Sequence, residues 1–415
     1  MSFVSGIRCS KCSAEYDPKD VPLMCAKGDL GRLDLYYDYD AISVSLSKVG
    51  LSERPHDIWR WKELLPAEER FAVKLGEGGT PLTKAGRLAQ VLGLRKLYLK
   101  DETRNPTGSF KDRAMAMGVA KALEKGASTL TTASSGNAAS SLAAYAAKAG
   151  LRTVAFVLES ASEAKVAQLL LFGAEVVKVR GIESGEDPTV RLMMEMVKRR
   201  GWYPSPSFGP FNPYQVEGPK TISFELAEEM GWRGYDWLLA PTGSGCLMAG
   251  LWKGLRDLTE MGLVDAHPKL VPVQPTGNSP LVRALRLGLD ASRVEGEKHP
   301  TTIASGLSDP YPWDADAAME GVRRTGGLGV SASDEEILNA MKDLARYEGI
   351  FAEPSGAAGL AGARKLVEEG TIDRGDSVVV LVTGSGLKDI SAATRLAKAV
   401  HVIEPRLEEL EGVLR

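Results

Sequence analysis

Cysteine is scarce in this chain: four thiols among 415 residues, too few for the disulfide framework on which small secreted folds depend. Charge of one sign is scarce too. The formal net charge is -3, which leaves no basic field to hold nucleic acid and no lysine-rich face for a membrane surface. Long apolar runs are missing: Val378–Val382 is far too short to cross a bilayer and reads as a buried strand. The opening residues, MSFVSGIRCSKC, lack the charged-then-apolar layout of a secretion signal. These absences leave the cytoplasm as the expected compartment. What is present is 44% hydrophobic against 25% charged residues, ample for a globular core. The length suits two domains, or one large domain with an insertion.

Cys9-x-x-Cys12 opens the chain and Cys25 follows, but Gly28 stands where a second cysteine pair would be completed. Asp29 would complete a four-ligand set; an unused relic of a metal knuckle is the competing reading, and no metal is assigned at this stage. Residues 32–70 show no clear period and read as part of an N-terminal extension packed on the main body. From residue 95 onward short apolar strands alternate with helical stretches. Strands are expected at Lys96–Lys100, Thr129–Ala133, Thr153–Leu158, Glu175–Val179, Asp236–Ala240, Lys269–Val273 and Ser377–Val382. Phe110–Lys125 has helical spacing, with Ser109 placed to cap its start and Gly126 to end it. Such alternation implies parallel sheets with helices on both faces. Gly181–Pro188 and Tyr203–Pro213 read as loops.

Four strand-to-helix turns carry candidate chemistry, because ligands of open parallel sheets sit at the carboxyl ends of the strands. Asn105-Pro-Thr-Gly-Ser-Phe-Lys111 places a lysine in the first turn of a helix, at the positive end of its dipole, a setting suited to a nucleophilic amine. Ser134-Ser135-Gly136-Asn137 offers exposed N–H groups to a carboxylate or phosphate, though alone it is an ordinary capping turn. Thr242-Gly243-Ser244-Gly245-Cys246-Leu247 is the best phosphate cradle in the chain. Met248 replaces the third glycine of a dinucleotide fingerprint and no Walker lysine follows, so a monophosphate fits better. Thr383-Gly384-Ser385-Gly386 is either a second phosphate loop or a way to set the Thr383 hydroxyl against a ring nitrogen. A lysine nucleophile, a monophosphate cradle and two polar turns together suit a phosphorylated aldehyde cofactor.

In this order the segments LGEGGTPL, KDETRNPTGSFKDRA, ASSGNAAS, NPYQVEGPKT, PTGSGCLMAGLWKG, EPSGAAGLAG and VTGSGLKD, between about residues 70 and 395, resemble the threonine synthase family of fold-type II pyridoxal-phosphate enzymes. The cysteine-bearing start resembles that family's N-terminus as well. The resemblance implies two open-sheet α/β domains of the tryptophan synthase β-like type: residues 70–115 with 221–415 as the large cofactor domain, 116–220 as a smaller inserted one, and 1–69 as the extension. It implies pyridoxal 5'-phosphate carried covalently on Lys111, with Phe110 beside it and Asn137 on the ring oxygen. Backbone N–H groups of Gly243, Ser244, Gly245, Cys246 and Leu247 would hold the phosphate, and Thr383 would meet the pyridine nitrogen. Ser134, Ser135 and Gly136 would receive the carboxylate of a small amino-acid substrate. The implied reaction converts O-phosphohomoserine and water into threonine and phosphate, in a homodimer.

Two positions depart from the pattern. Ala138 stands where the family has Thr, and Gln215 where it has Arg. An arginine's charge-assisted fork is worth about 1.5–3 kcal/mol, so its loss bears on the substrate's own phosphate. Arg104, Arg113 or Lys220 are candidate substitutes. The alternatives sharing the Lys111 chemistry are a β-eliminating ammonia-lyase for serine- or threonine-like amino acids and a β-replacing synthase of the cysteate type. A non-catalytic binding protein would have no use for Lys111, Asn137 and Thr383 together.

Overall fold

The computed structural model describes residues 2–19, 22–46, 48–159, 161, 163–180, 188–397 and 400–414. Strand Ser377–Val382 shows how the sequence builds the central layer. Val378, Val380 and Val382 enter one apolar cluster, while Val379 and Leu381 enter another. Its neighbours divide the same way: Leu239, Val271 and Val273 face the first cluster, Leu238, Ala240 and Leu270 the second. Burial on both faces is why these strands read as continuous apolar runs and not as alternation. Helices Asp334–Glu348 and Pro354–Glu368 supply the first cluster, Cys246–Glu260 and Ala315–Arg324 the second.

The six strands of this sheet run in the order Val330–Ala332, Lys269–Pro275, Trp237–Pro241, Ser377–Val382, Lys96–Asp101, Leu82–Lys84. The first five are parallel; Leu82–Lys84 is antiparallel to its neighbour. This edge departs from the all-parallel expectation. Only the short helix Gly86–Leu92 separates the two strands, less chain than a parallel crossover needs.

A second, fully parallel sheet orders Glu175–Val179, Arg152–Leu158, Thr129–Thr132, Tyr203–Pro204. Its last strand corrects the reading of Tyr203–Pro213 as a plain loop. Tyr203 and Pro204 pair with Leu130 and Thr131, and residues 203–213 are all buried. The prolines bring no N–H to satisfy; Ser205 N–H donates to the Thr131 carbonyl at 2.7 Å, and Asn212 Nδ2 to that of Pro204 at 2.8 Å. The other expected loop, Gly181–Pro188, lies outside the described residues except for Pro188, which opens helix Pro188–Arg200.

Helix Lys111–Glu124 corrects a second detail: Ser109 does not cap it. Phe110 occupies the cap position without a side-chain bond, and the buried Ser109 hydroxyl takes no partner among the described residues. The N-terminal residues form an antiparallel sheet, Glu15–Tyr16, Val4–Cys9, Leu33–Tyr37. Leu33, Leu35, Trp59 and Trp61 share one apolar cluster with Met115, Met117 and Val119 of helix Lys111–Glu124, which welds the extension to the body. Among the described residues no helix is long and apolar enough to cross a membrane.

Candidate active site

Strands Trp237–Pro241, Ser377–Val382 and Lys96–Asp101 are adjacent and parallel, so their following loops emerge at one edge. Those loops, with the loop after Thr129–Thr132 from the other sheet, line a cavity of about 920 Å³. Every residue that the sequence assigned to the cofactor or to the substrate carboxylate lines it: Phe110 and Lys111; Ser134, Ser135, Gly136 and Asn137; Gly243, Ser244, Gly245, Cys246 and Leu247; and Thr383.

The Lys111 turn is built from its own first helical residues. Buried Asp112 accepts from Thr107 N–H at 2.7 Å, from the Thr107 hydroxyl at 2.6 Å and from the Ser141 hydroxyl at 2.6 Å. Gly108, at φ +80°, makes the bend. The turn is then zipped to the Thr383 loop: Phe110 N–H donates to the Thr383 carbonyl at 3.1 Å, and Ser385 N–H to the Gly108 carbonyl at 2.8 Å. Lys111 Nζ donates to Ser207 Oγ at 2.8 Å and lies 4.9 Å from the Phe110 ring centre. Ser207 sits at φ +68°, rare for a residue with a side chain, and its N–H is held by Gln215 Oε1 at 2.8 Å.

The Gly243–Leu247 loop has the geometry of an anion site. Gly245, at φ +96°, precedes helix Cys246–Glu260. Among the described residues none of the N–H groups from Gly243 through Leu247 donates to another protein atom. Five unclaimed donors at a helix N-terminus, facing a cavity, suit a phosphate monoester. Beneath the loop lies Asp314, fully buried. Burial raises its carboxyl to about 7, against the opposing pull of Arg32 and the Gly209 N–H.

Asn137 Nδ2 donates to Glu353 Oε1 at 2.7 Å, so one of its two amide hydrogens is already engaged. Burial raises the Glu353 carboxyl above its usual range. The Thr383 hydroxyl takes no hydrogen-bond partner among the described residues.

The cations sort differently from expectation. Arg113 is buried against Glu102 and Glu225, and Lys220 against Glu217 and Asp257; neither lines the cavity, nor does Arg104. The lining lysines besides Lys111 are Lys165, bonded to Ser305 Oγ at 2.9 Å, and Lys388, bonded to the Thr107 carbonyl and Ser140 Oγ at 2.8 Å each. Burial lowers the Lys388 ammonium below its usual range. Ala138 lines the cavity; Gln215 does not, because its amide is spent on Ser207 and on Met115 Sδ at 3.1 Å. Sequence reasoning therefore missed Ser207, Glu353, Lys165 and Lys388 as site residues. Glu353 and Lys388 lay inside the motifs EPSGAAGLAG and VTGSGLKD; Ser207 and Lys165 carried no local signal.

Residues 73–384 match the family model described as pyridoxal-phosphate dependent enzyme. The chain is 40% identical to the threonine synthase of Methanosarcina acetivorans over 98% of both chains. It is 38% identical to that of Methanocaldococcus jannaschii over 98% of this chain and 99% of the other. In fold it is similar to the processed form of threonine deaminase isoform 2 from Solanum lycopersicum, with a TM-score of 0.67 and 19% identity over 91% of this chain and 95% of that one.

Proposed function

The chain belongs to the pyridoxal-phosphate-dependent enzyme family, in its threonine synthase branch, and from that premise we propose that it converts O-phosphohomoserine and water into threonine and phosphate. One observation carries the reading: a lysine amine and five unclaimed backbone N–H groups face the same cavity. Those groups fit the cofactor, since the amine can bond its aldehyde and the loop can hold its monophosphate without a counter-cation. When bound, the cofactor supplies an electron-accepting ring that makes the substrate's α-proton removable.

The protein's part is positional and protonic. Gly243, Ser244, Gly245, Cys246 and Leu247 would hold the phosphate through N–H groups, Thr383 would offer its hydroxyl to the ring nitrogen, and Asn137 its remaining amide hydrogen to the ring oxygen. Lys111 Nζ would hold the cofactor through its aldehyde and, once free, take the substrate's α-proton and carry protons between substrate carbons. Ser207 Oγ, 2.8 Å away, orients that amine. Ser134, Ser135 and Gly136 receive the substrate carboxylate. Lys165 and Lys388 supply the positive charge for the leaving phosphate that Ala138 and Gln215 do not. A second reading, β-elimination or β-replacement on an unphosphorylated or shorter amino acid, is favoured by Ala138, which brings a methyl group into the lining.

Supplying O-phosphohomoserine, O-phosphoserine, serine and threonine in parallel, and assaying threonine, phosphate, ammonia and keto acid, separates the two. Threonine with equimolar phosphate supports the synthase; ammonia and keto acid without threonine overturn it. The matching cellular form is a cytoplasmic homodimer. Four free thiols support the reducing compartment, and the dimer rests on the family alone.

A further inference from the structure

We infer that Cys9, Cys12, Cys25 and Asp29 hold one zinc ion as a structural Cys3Asp site in the N-terminal sheet. The three sulfurs and a carboxylate oxygen all lie within 4.8 Å of one another. Cys12 Sγ and Cys25 Sγ are 3.6 Å apart, and Cys9 Sγ is 3.6 Å from each Asp29 oxygen. Tetrahedral zinc, with bonds of about 2.3 Å to sulfur and about 2.0 Å to oxygen, puts ligand atoms roughly 3.5–3.8 Å apart. The spacing matches a metal polyhedron and not a disulfide, whose sulfurs stand at about 2.05 Å.

The backbone is arranged around that point. Strand Val4–Cys9 ends in a tight knuckle, with Ser13 at φ +58° and its N–H bonded to the Cys9 carbonyl at 3.0 Å. Gly28, at φ +67°, turns back on the Cys25 carbonyl at 3.0 Å and so brings Asp29 to the sulfurs. Gly31 N–H fixes Asp29 Oδ1 at 2.8 Å. A Cβ on Gly31 would lie 2.4 Å from Cys9 Sγ and 3.1 Å from Asp29 Oδ1, so only glycine leaves the centre open.

Packing of small thiols brings the carboxylate hydrogen bonds, from Gly31 N–H and the Cys9 thiol, but no countercharge. Among the described residues no Lys, Arg or His forms an ion pair with the Asp29 carboxylate; Lys11 Nζ donates to its backbone carbonyl instead. An anion turned onto three sulfurs is explained by a cation among them. Binding replaces three S–H protons by three Zn–S bonds: Zn²⁺, three thiols and one carboxylate give a complex of charge -2 and three protons. The ion would tie the end of strand Val4–Cys9 to the turns that carry Cys12, Cys25 and Asp29, cross-linking segments far apart in the chain.

The test uses the full chain, purified from zinc-supplemented cells and desalted into metal-free buffer. Plasma mass spectrometry should find about one zinc per chain, lost from Cys9→Ser and Cys25→Ser. Asp29→Asn, which can still accept from Gly31, should retain zinc less tightly against a chelator. Growth in cobalt in place of zinc needs no variant, and should give thiolate-to-cobalt charge transfer with intense tetrahedral d–d bands. Wild-type chain without metal, a weak octahedral cobalt spectrum, or an intact mass showing a Cys12–Cys25 disulfide would each overturn the assignment.

Discussion

Replacing Gly245 by alanine separates the proposed phosphate cradle from everything else the cavity does. Gly245 sits at φ +96°, where an L-residue pays about 1–2 kcal/mol. The new Cβ would lie 3.1 Å from the backbone carbon and oxygen of Asp314. That backbone cannot retreat: Asp314 N–H is bonded to the Ser244 carbonyl at 2.9 Å, and its carboxylate accepts from Gly209 N–H. The loop itself must therefore open, and at least one N–H loses its aim. A charge-assisted hydrogen bond of about 1.5–3 kcal/mol corresponds to roughly 10- to 150-fold in affinity. Apoprotein would be titrated with pyridoxal phosphate and, separately, with pyridoxal, following the visible absorbance of the lysine-linked form. The phosphate ester should weaken by that factor while pyridoxal stays within about twofold. Equal losses for both ligands, or none for the ester, would refute the assignment of this loop to the phosphate.

Lys111→Ala should show no cofactor mass after borohydride reduction of the holoprotein; an adduct that persists would mean another lysine carries it. Lys165→Ala should lower kcat/KM for O-phosphohomoserine by at least about tenfold, mainly through KM, and an unchanged KM would remove it from the substrate's phosphate. Arg113→Met leaves Glu102 and Glu225 buried with one cation fewer, and should cost about 3–5 kcal/mol in urea unfolding; a loss under about 1 kcal/mol would contradict that. Burial raises the Asp314 carboxyl from 3.8 to about 7, so the fold holds this proton more tightly than the unfolded chain and loses stability as pH rises from about 4 to about 7. Asp314→Asn removes that slope: the variant apoprotein should gain on wild type between pH 5 and pH 8, by about 2–3 kcal/mol, and parallel pH–stability curves would disprove it.

What the sequence revealed of the site depends on how each residue reaches it. Lys111, the Gly243–Leu247 loop and Thr383 are set by contiguous strand–turn–helix segments whose Gly, Ser and Pro content dictates the bend locally. Their adjacency is then forced by strand order, since three neighbouring parallel strands end together. Ser207 reaches Lys111 by tertiary packing: it lies in a proline-rich stretch that reads as loop, is held at φ +68° by Gln215, and meets an amine from a distant helix. Glu353 likewise arrives because Gly384, where a Cβ would come 2.3 Å from Glu353 Oε1, makes room for it.

Gln215 shows the limit most clearly. Alignment with a family motif marks it as a missing phosphate contact, but nothing in the string of residues says where its side chain points. The structure turns it away from the cavity and onto Ser207 N–H, so the chain Gln215–Ser207–Lys111 runs from the neighbourhood of the second sheet to the Lys111 amine. The same amine is fixed from the first sheet by the Phe110–Thr383 backbone bond. Its position is thus a function of both sheets at once. A substitution such as Gln215→Arg would not simply restore an anion contact, because it would remove the acceptor that holds Ser207 and loosen the hydroxyl to which Lys111 donates.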